Sequence, residues 1–195
     1  MRYCFLALTL LVSALAIPAP ASAEREHYVI DTRGAHAFIQ FRIPHMGFSW
    51  LYGRFNDFEG EFVYDSQDPS KSSVNVTVQT DSIDSNHQRR DDHLRNEDFL
   101  TAAEHPVARF VSTGFTALGE GRYRLEGDLS LMGRTSGIAI DVTEIGAGED
   151  PWGGFRRGFE GTTKLALEDW GIDYDLGPAK EVELTLSVEG IRQDA

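Results

Sequence analysis

The chain has 195 residues, a single cysteine, and 31 acidic against 18 basic side chains, which gives a formal charge of −13. This length suits one domain with a sizeable core. The excess of acidic groups disfavours nucleic acid as a partner, because a negatively charged surface repels phosphate.

The first 23 residues have the organisation of a secretory signal peptide. Arg2 precedes an apolar run from Phe5 to Ile17, and Ala21-Ser22-Ala23 supplies the small residues of a cleavage site. The run is shorter than the roughly 20 residues that cross a bilayer, so it does not predict a membrane anchor. We therefore expect cleavage after Ala23, export to the periplasm and no stable membrane insertion. Cys4 is lost with the leader, so the mature domain, residues 24–195, contains no thiol.

The mature sequence alternates apolar and polar residues with the period of two that is typical of β-strands. The alternation is clearest over residues 181–189 and recurs in eight or nine runs. Turn residues separate the runs at 65–73, at Gly119-Glu120-Gly121 and at Met132-Gly133-Arg134, where a tight hairpin is expected. The pattern predicts an all-β domain, either a closed antiparallel barrel or a sandwich.

One segment, Ser85 to Glu104, lacks the alternation. It is highly charged and predicts one helix or two short helical turns. Asp91 and Arg95 are four residues apart and of opposite charge, which predicts an ion pair on a helix held against the barrel. The segment contains neither a zinc-protease motif nor a nucleophile elbow.

A second notable region is the aromatic run Phe48, Trp50, Tyr52, Phe55 and Phe58. Its residues have two interpretations. They are core and barrel-closing residues, with glycines at bends, or they line an internal cavity. An eight-stranded barrel is either filled by its own side chains or keeps room for one ligand, and periodicity does not distinguish these cases.

His45 has the same parity as Ile39, Phe41 and Ile43, so we expect it to point inward near the end of a strand. The favoured interpretation is a buried, hydrogen-bonded structural histidine. The alternative is a contact with a ligand headgroup at the mouth of the barrel.

Motifs along almost the whole mature chain resemble the YceI family of periplasmic, lipocalin-like proteins. They include Tyr28-Val-Ile-Asp31, Phe41-Arg-Ile-Pro-His45, Ser49-Trp-Leu-Tyr-Gly53, Arg90-Asp-Asp-His-Leu94, Gly127-Asp-Leu-Ser-Leu131 and Asp150-Pro-Trp-Gly-Gly154. The resemblance implies an eight-stranded antiparallel barrel with a short helical segment, holding a polyisoprenoid such as a quinone or a quinone precursor. The chain departs from the family pattern between Asp31 and His36, which leaves the role of His36 open.

The leading hypothesis is thus non-covalent binding, with transport or storage, of a long-chain isoprenoid lipid in the periplasm. We expect no catalytic residue, no metal and no required cofactor other than the bound lipid. Contact with the lipid is predicted, from the parity of the strands, for Ile39, Phe41, His45, Phe58, Val76, Val78, Phe110, Leu129, Ile140, Leu184 and Leu186.

Two other classes of function stay open at the level of sequence. One is a module whose acidic surface binds a membrane redox protein. The other is an enzyme that acts on a lipid headgroup through His45, His93 and Asp91, although no nucleophile motif accompanies them. The sequence also leaves open a homodimer.

Overall fold

A computed structural model describes residues 25–177 and 179–193, so the predicted leader and its cleavage site lie outside the described residues. Within them the chain forms eleven antiparallel strands, one α-helix and three short 3-10 turns. The strands are β1 (Glu26–Ile30), β2 (Phe38–His45), β3 (Ser49–Phe55), β4 (Phe58–Tyr64), β5 (Ser73–Gln79), β6 (Ile83–Asp84), β7 (Val107–Gly119), β8 (Arg122–Leu131), β9 (Arg134–Glu149), β10 (Phe155–Ala166) and β11 (Glu181–Arg192), and the helix is α1 (Gln88–Leu94).

Eight of these strands close into a ring in the order β1-β4-β5-β7-β8-β9-β10-β11. The ring is completed by pairing of the first strand with the last, where Val29 lies opposite Ile191. Every pairing is antiparallel, and the alternate residues of each strand that face inward are the apolar ones. The predicted eight-stranded antiparallel barrel with a short helix is therefore confirmed.

The other three strands deepen the barrel at one end. The last strand, β11, pairs with β1 through residues 190–192 and with β2 through residues 183–187. β2 follows β1 after the interruption at residues 31–37, and β3 precedes β4 across the break at residues 56–57. Each pair thus forms one long, interrupted strand.

Two-residue turns join the long strands β7, β8 and β9. Met132 and Gly133 have φ angles of 52° and 71°, and Glu120 and Gly121 have φ angles of 55° and 70°. Two consecutive positive φ angles are those of the type I′ turn, whose twist matches that of a β-hairpin. The expected tight hairpin at Met132-Gly133 is confirmed.

The predicted helical segment contains one short helix. Only Gln88–Leu94 is α-helical, and residues 95–104 fold as a series of turns. The expected ion pair between Asp91 and Arg95 is wrong. Arg95 instead donates to the carbonyl oxygens of Asp81 and Ile83, at 2.6 and 2.7 Å. The helix is held to the barrel, as expected, but through backbone carbonyl groups.

Candidate functional site

The interior of the barrel is a cavity of about 560 Å³. This volume lies within the range of roughly 300 to 1,000 Å³ that is usual for small-molecule sites. All eleven strands contribute to its walls, and most of the lining side chains are aliphatic or aromatic. An apolar cavity of this size is suited to a hydrophobic ligand.

All of the residues for which lipid contact is predicted line this cavity: Ile39, Phe41, His45, Phe58, Val76, Val78, Phe110, Leu129, Ile140, Leu184 and Leu186. Many of them are direct neighbours across strands. Val76 lies opposite Phe110, and Phe110 lies opposite Leu129. Phe41 of β2 lies opposite Leu184 of β11. The predicted faces thus form one continuous surface.

One end of the cavity is closed by aromatic side chains. The buried rings of Tyr64 and Phe115 line it there, and the Tyr64 hydroxyl lies 3.1 Å from that of Tyr123. The guanidinium of Arg157 lies 4.0 Å from the centre of the Tyr64 ring and pairs with Glu144. Burial raises the pKa of Tyr123, and its hydrogen bond to Tyr64 adds to the shift. The Tyr123 hydroxyl therefore stays protonated. We call this region the closed end.

The other end opens to solvent, and we call it the mouth. His45 is exposed at the end of β2, and Tyr174 is 42% exposed on the segment that follows β10. Arg90 and His93 of α1 line the cavity beside them and are half-buried. The favoured interpretation of His45 as a buried structural histidine is wrong, because β2 ends in a hairpin that projects beyond the core. Its inward parity, however, is confirmed.

The α1 residues at the mouth are firmly held. The buried carboxylate of Asp91 accepts hydrogen bonds from the amide and the hydroxyl of Ser85, at 2.8 and 2.5 Å. Arg90 donates to the Ser85 hydroxyl and to its carbonyl oxygen, at 2.7 and 2.6 Å. The Arg90-Asp91 motif thus fixes the helix over the end of β6, and it presents the remaining edge of the Arg90 guanidinium to the mouth.

The three residues of the enzymatic alternative have separate partners. His93 Nε2 lies 2.8 Å from Asp98 Oδ2, and its ring packs edge-on against Phe99 and Tyr174. Asp91 is engaged by Ser85. His45 lies across the mouth on the hairpin of β2 and β3. The described hydrogen bonds therefore do not link these groups into a relay.

The aromatic run divides between the two faces of its strands. Phe55 and Phe58 line the cavity, in agreement with the second interpretation. Phe48, Trp50 and Tyr52 are exposed on the outside, so both interpretations are wrong for these three residues. The cause is strand parity, because the cavity-facing positions of β3 belong to Leu51, Gly53 and Phe55.

Part of the lining was not predicted from the sequence. It comes from the irregular segment between β10 and β11 and consists of Leu167, Trp170, Ile172, Tyr174 and Leu176. Four of these residues, Trp170 to Leu176, are apolar or aromatic at every second position and alternate with Gly171, Asp173 and Asp175. This period of two could have indicated a buried face, although the segment does not form a strand.

A polar cluster lies outside the cavity, beside the closed end. Ligand atoms of Asp31, His36 and Glu189 lie within 4.8 Å of one another, a spacing that suits a metal ion. The two carboxylates already have a cationic partner in Arg156. Its Nη1 lies 2.7 Å from Asp31 and also donates to Glu189. Burial raises the pKa of Asp31, but the hydrogen bonds from Arg156, the Gly34 amide and His36 outweigh it and lower that pKa to about 2. The cluster is best explained as an ion-pair network, and His36 belongs to it.

No helix in the described part of the chain has the length and apolar character needed to span a bilayer.

A family model described as "YceI-like domain" matches residues 28–190. A UPF0312 protein of Azotobacter vinelandii is 54% identical over 167 residues, which cover 85% of this chain and 87% of that protein. A UPF0312 protein of Pseudomonas aeruginosa is 55% identical with the same coverage. These matches are close and extend through the whole barrel.

Two solved structures have the same fold at low identity. Burkholderia cenocepacia BcnA superposes with a TM-score of 0.74 at 20% identity, over 82% of this chain and 98% of that one. A domain from Saccharophagus degradans, described as a polyisoprenoid binding domain implicated in plant cell wall breakdown, gives 0.61 at 13% identity, over 85% and 98%.

Proposed function

This chain belongs to the YceI family, and from that premise we propose that its barrel binds a long-chain polyisoprenoid lipid non-covalently and carries or stores it in the periplasm. The main observation that supports this proposal is the apolar cavity of about 560 Å³, which has a closed aromatic end and a polar mouth. The description of the Saccharophagus degradans domain as polyisoprenoid binding supports the same class of ligand.

The physical need for such a carrier follows from the cost of exposing hydrocarbon to water. Each buried methylene contributes about 0.8 kcal/mol, so a polyprenyl chain hardly leaves a membrane unaided. The cavity offers it Phe41, Val76, Phe110, Leu129 and their neighbours on every side. These contacts are non-directional, so shape and the polar groups at the mouth decide which lipid is selected.

The distribution of polar groups sets the orientation that we propose for the lipid. The tail lies toward the closed end, where Tyr64 and Phe115 complete an aromatic wall. The headgroup lies at the mouth, where Arg90, His93 and His45 offer hydrogen-bond donors. A headgroup with oxygen acceptors, such as a quinone or a quinone precursor, fits these donors. Binding rather than catalysis is what the family and the cavity suggest.

The test of binding is lipid extraction and native mass spectrometry of protein purified from its own periplasm. We expect a bound mass in the prenyl-lipid range, and we expect a nonaprenyl alcohol to displace it better than a straight-chain fatty acid does. Protein that holds only fatty acid would contradict the isoprenoid class. If the purified protein contains no lipid and binds neither the prenyl alcohol nor the fatty acid, the result would contradict a lipid carrier. It would favour the acidic partner-binding module.

A pair of variants places the lipid within the barrel. Val76→Phe adds volume inside the cavity, whereas Val111→Phe adds it on the outer face of β7, where Val111 is 44% exposed. We expect Val76→Phe to reduce the lipid that co-purifies and Val111→Phe to leave it unchanged. In a solid core the inward change would cost roughly 1 to 3 kcal/mol of stability, but in an open cavity it costs little. Strong destabilisation with unchanged lipid content would contradict the cavity as the site.

A further inference from the structure

The hairpin that joins β2 to β3 exposes a group of large apolar and aromatic side chains within seven residues. Phe48 is 84% exposed, Met46 67%, Tyr52 60% and Trp50 41%. We call these four residues the hairpin tip. Contiguous exposed apolar surface of this kind is rare on soluble proteins and marks a surface for interaction.

The hairpin tip and the mouth of the cavity are two faces of the same two strands. His45 and Leu51 line the cavity, while Met46, Trp50 and Tyr52, their neighbours in sequence, are exposed. A surface that binds the hairpin tip therefore lies at the rim of the mouth.

The composition of the hairpin tip suits the interface between lipid headgroups and acyl chains. Trp and Tyr are enriched there because their rings are apolar and their N–H or O–H groups are polar. The guanidinium of Arg42 lies 4.2 Å from the centre of the Trp50 ring and pairs with Glu183 at 2.6 Å. This contact holds one amphipathic ring at the edge of the hairpin.

The distribution of charge also favours this end of the barrel. The chain has 31 acidic residues, yet residues 32–56 contain none and include Arg33, Arg42 and Arg54. Most of the protein surface is repelled by anionic lipid headgroups, because like charges repel. The hairpin carries no carboxylate of its own, and Glu183 and Asp84 of neighbouring strands are paired with its arginines. It is therefore repelled less than the rest of the surface.

We propose that the hairpin tip docks reversibly on the surface of a lipid bilayer, so that the mouth of the cavity faces the membrane. The side chains of the tip enter the interfacial region, and the barrel stays outside. The purpose of docking, to pass a lipid between membrane and cavity, rests on the proposed function, whereas the docking itself is measured without any cargo.

Flotation of the mature protein with phosphatidylcholine vesicles tests the docking. Phe48→Ser removes an exposed ring from the hairpin tip, and Trp152→Ser removes one from the loop before β10, at the closed end, where Trp152 is 78% exposed. We expect Phe48→Ser to bind vesicles roughly tenfold more weakly, because a ring buried in lipid is lost. Trp152→Ser should bind as the unmodified protein does.

Tryptophan quenching by lipids with brominated acyl chains locates the contact. Trp152→Phe retains Trp50 on the hairpin tip, whereas Trp50→Phe retains Trp152 at the closed end. Trp170, which is 2% exposed, is a shared background in both variants. We expect vesicles to quench the first variant and to leave the second almost unchanged.

Three results would overturn the docking: absence of vesicle binding, an equal loss in both serine variants, or quenching of Trp152 alone. Sedimentation that shows a dimer dissociated by Phe48→Ser, without vesicle binding, would assign the hairpin tip to a second copy of the chain. Phe48→Ser should keep its melting temperature and the lipid that co-purifies. Failure of docking is thus distinguishable from failure of lipid binding.

Discussion

The far end of the Phe41 ring lies over Gly53, its direct partner across β2 and β3. A Cβ atom on Gly53 would come within 2.8 Å of three atoms of that ring. The glycine therefore lets the phenylalanine lie against the wall instead of projecting into the lumen. A side chain at position 53 would displace the Phe41 ring and narrow the cavity near its mouth.

Gly53→Ala should push the Phe41 ring into the lumen and reduce lipid binding. The overlap is with the far end of a side chain, so the ring can move, and we expect a stability cost of about 1 to 3 kcal/mol. Bound lipid and urea unfolding measure the two effects. Gly148→Ala is the matched control, because a Cβ atom there meets no atom within 4 Å.

A smaller side chain at position 41 should reverse the effect of Gly53→Ala. In the double variant Gly53→Ala with Phe41→Leu, the smaller side chain leaves room for the new methyl group, so lipid binding should recover. A double variant that binds no better than Gly53→Ala would show that the strand itself, and not the ring, had moved.

Asp31 should make the barrel sensitive to acid. Its pKa falls from 3.8 to about 2 on folding, so the ionised carboxylate stabilises the native state above about pH 4, and the contribution is lost as the pH falls toward 2. At neutral pH, Asp31→Asn should cost about 2 kcal/mol, which corresponds to the shift. Urea unfolding of both proteins between neutral pH and about pH 2 should show the difference in their free energies of unfolding becoming smaller in acid.

The control for Asp31 is Asp57→Asn, which changes an exposed carboxylate. We expect it to alter stability by less than about 0.5 kcal/mol at any pH. A gap between Asp31→Asn and the unmodified protein that is the same at neutral and acid pH would argue against an ionised Asp31 in the network with Arg156.

Asp91→Ala should destabilise the attachment of α1 at the mouth of the cavity. Removal of its carboxylate leaves the buried amide of Ser85 without an acceptor, at a cost of roughly 1 to 3 kcal/mol. Asp92→Ala, on the exposed side of the same helix, should cost less than about 0.5 kcal/mol. Equal effects in urea unfolding would mean that the bond to Ser85 contributes little.

The N-terminus of the exported protein should be Glu24. Ala21 and Ala23 occupy the positions at which signal peptidase requires small residues. Intact-mass measurement and N-terminal sequencing of protein from the periplasmic fraction check this. A start at Met1, or a lipid-modified first residue, would be incompatible with the prediction.

The inner faces of the strands could be predicted because a barrel with an apolar lumen and a wet exterior imposes strict alternation. Val76, Phe110 and Leu129 satisfy that rule, and they are neighbours in the structure. The same rule, counted from Leu51 and Phe55, places Trp50 on the outer face of β3. Phe48 lies in the turn before that strand, where parity does not apply. Aromatic character alone therefore did not indicate burial in this hairpin.

The irregular parts of the fold were beyond reach for a related reason. The interruptions at residues 31–37 and 56–57 depend on long-range pairing with β11 and β6, which local sequence does not encode. The turns after α1 have a largely polar sequence, which a helix on the protein surface could also have. Their actual hydrogen bonds, such as that from the Leu100 amide to the Leu94 carbonyl, arise from tertiary packing.

The double pairing of β11 has a consequence for the order of folding. The ring closes only when residues 190–192 meet β1, which leaves the ribosome first, and the same strand must also meet β2. Contacts between such distant parts of a chain form slowly, because a long loop must be closed first. Until that moment the lumen is an open apolar sheet. We expect the nascent protein to depend on protection against aggregation, and truncation of the final strand to abolish the fold instead of trimming it.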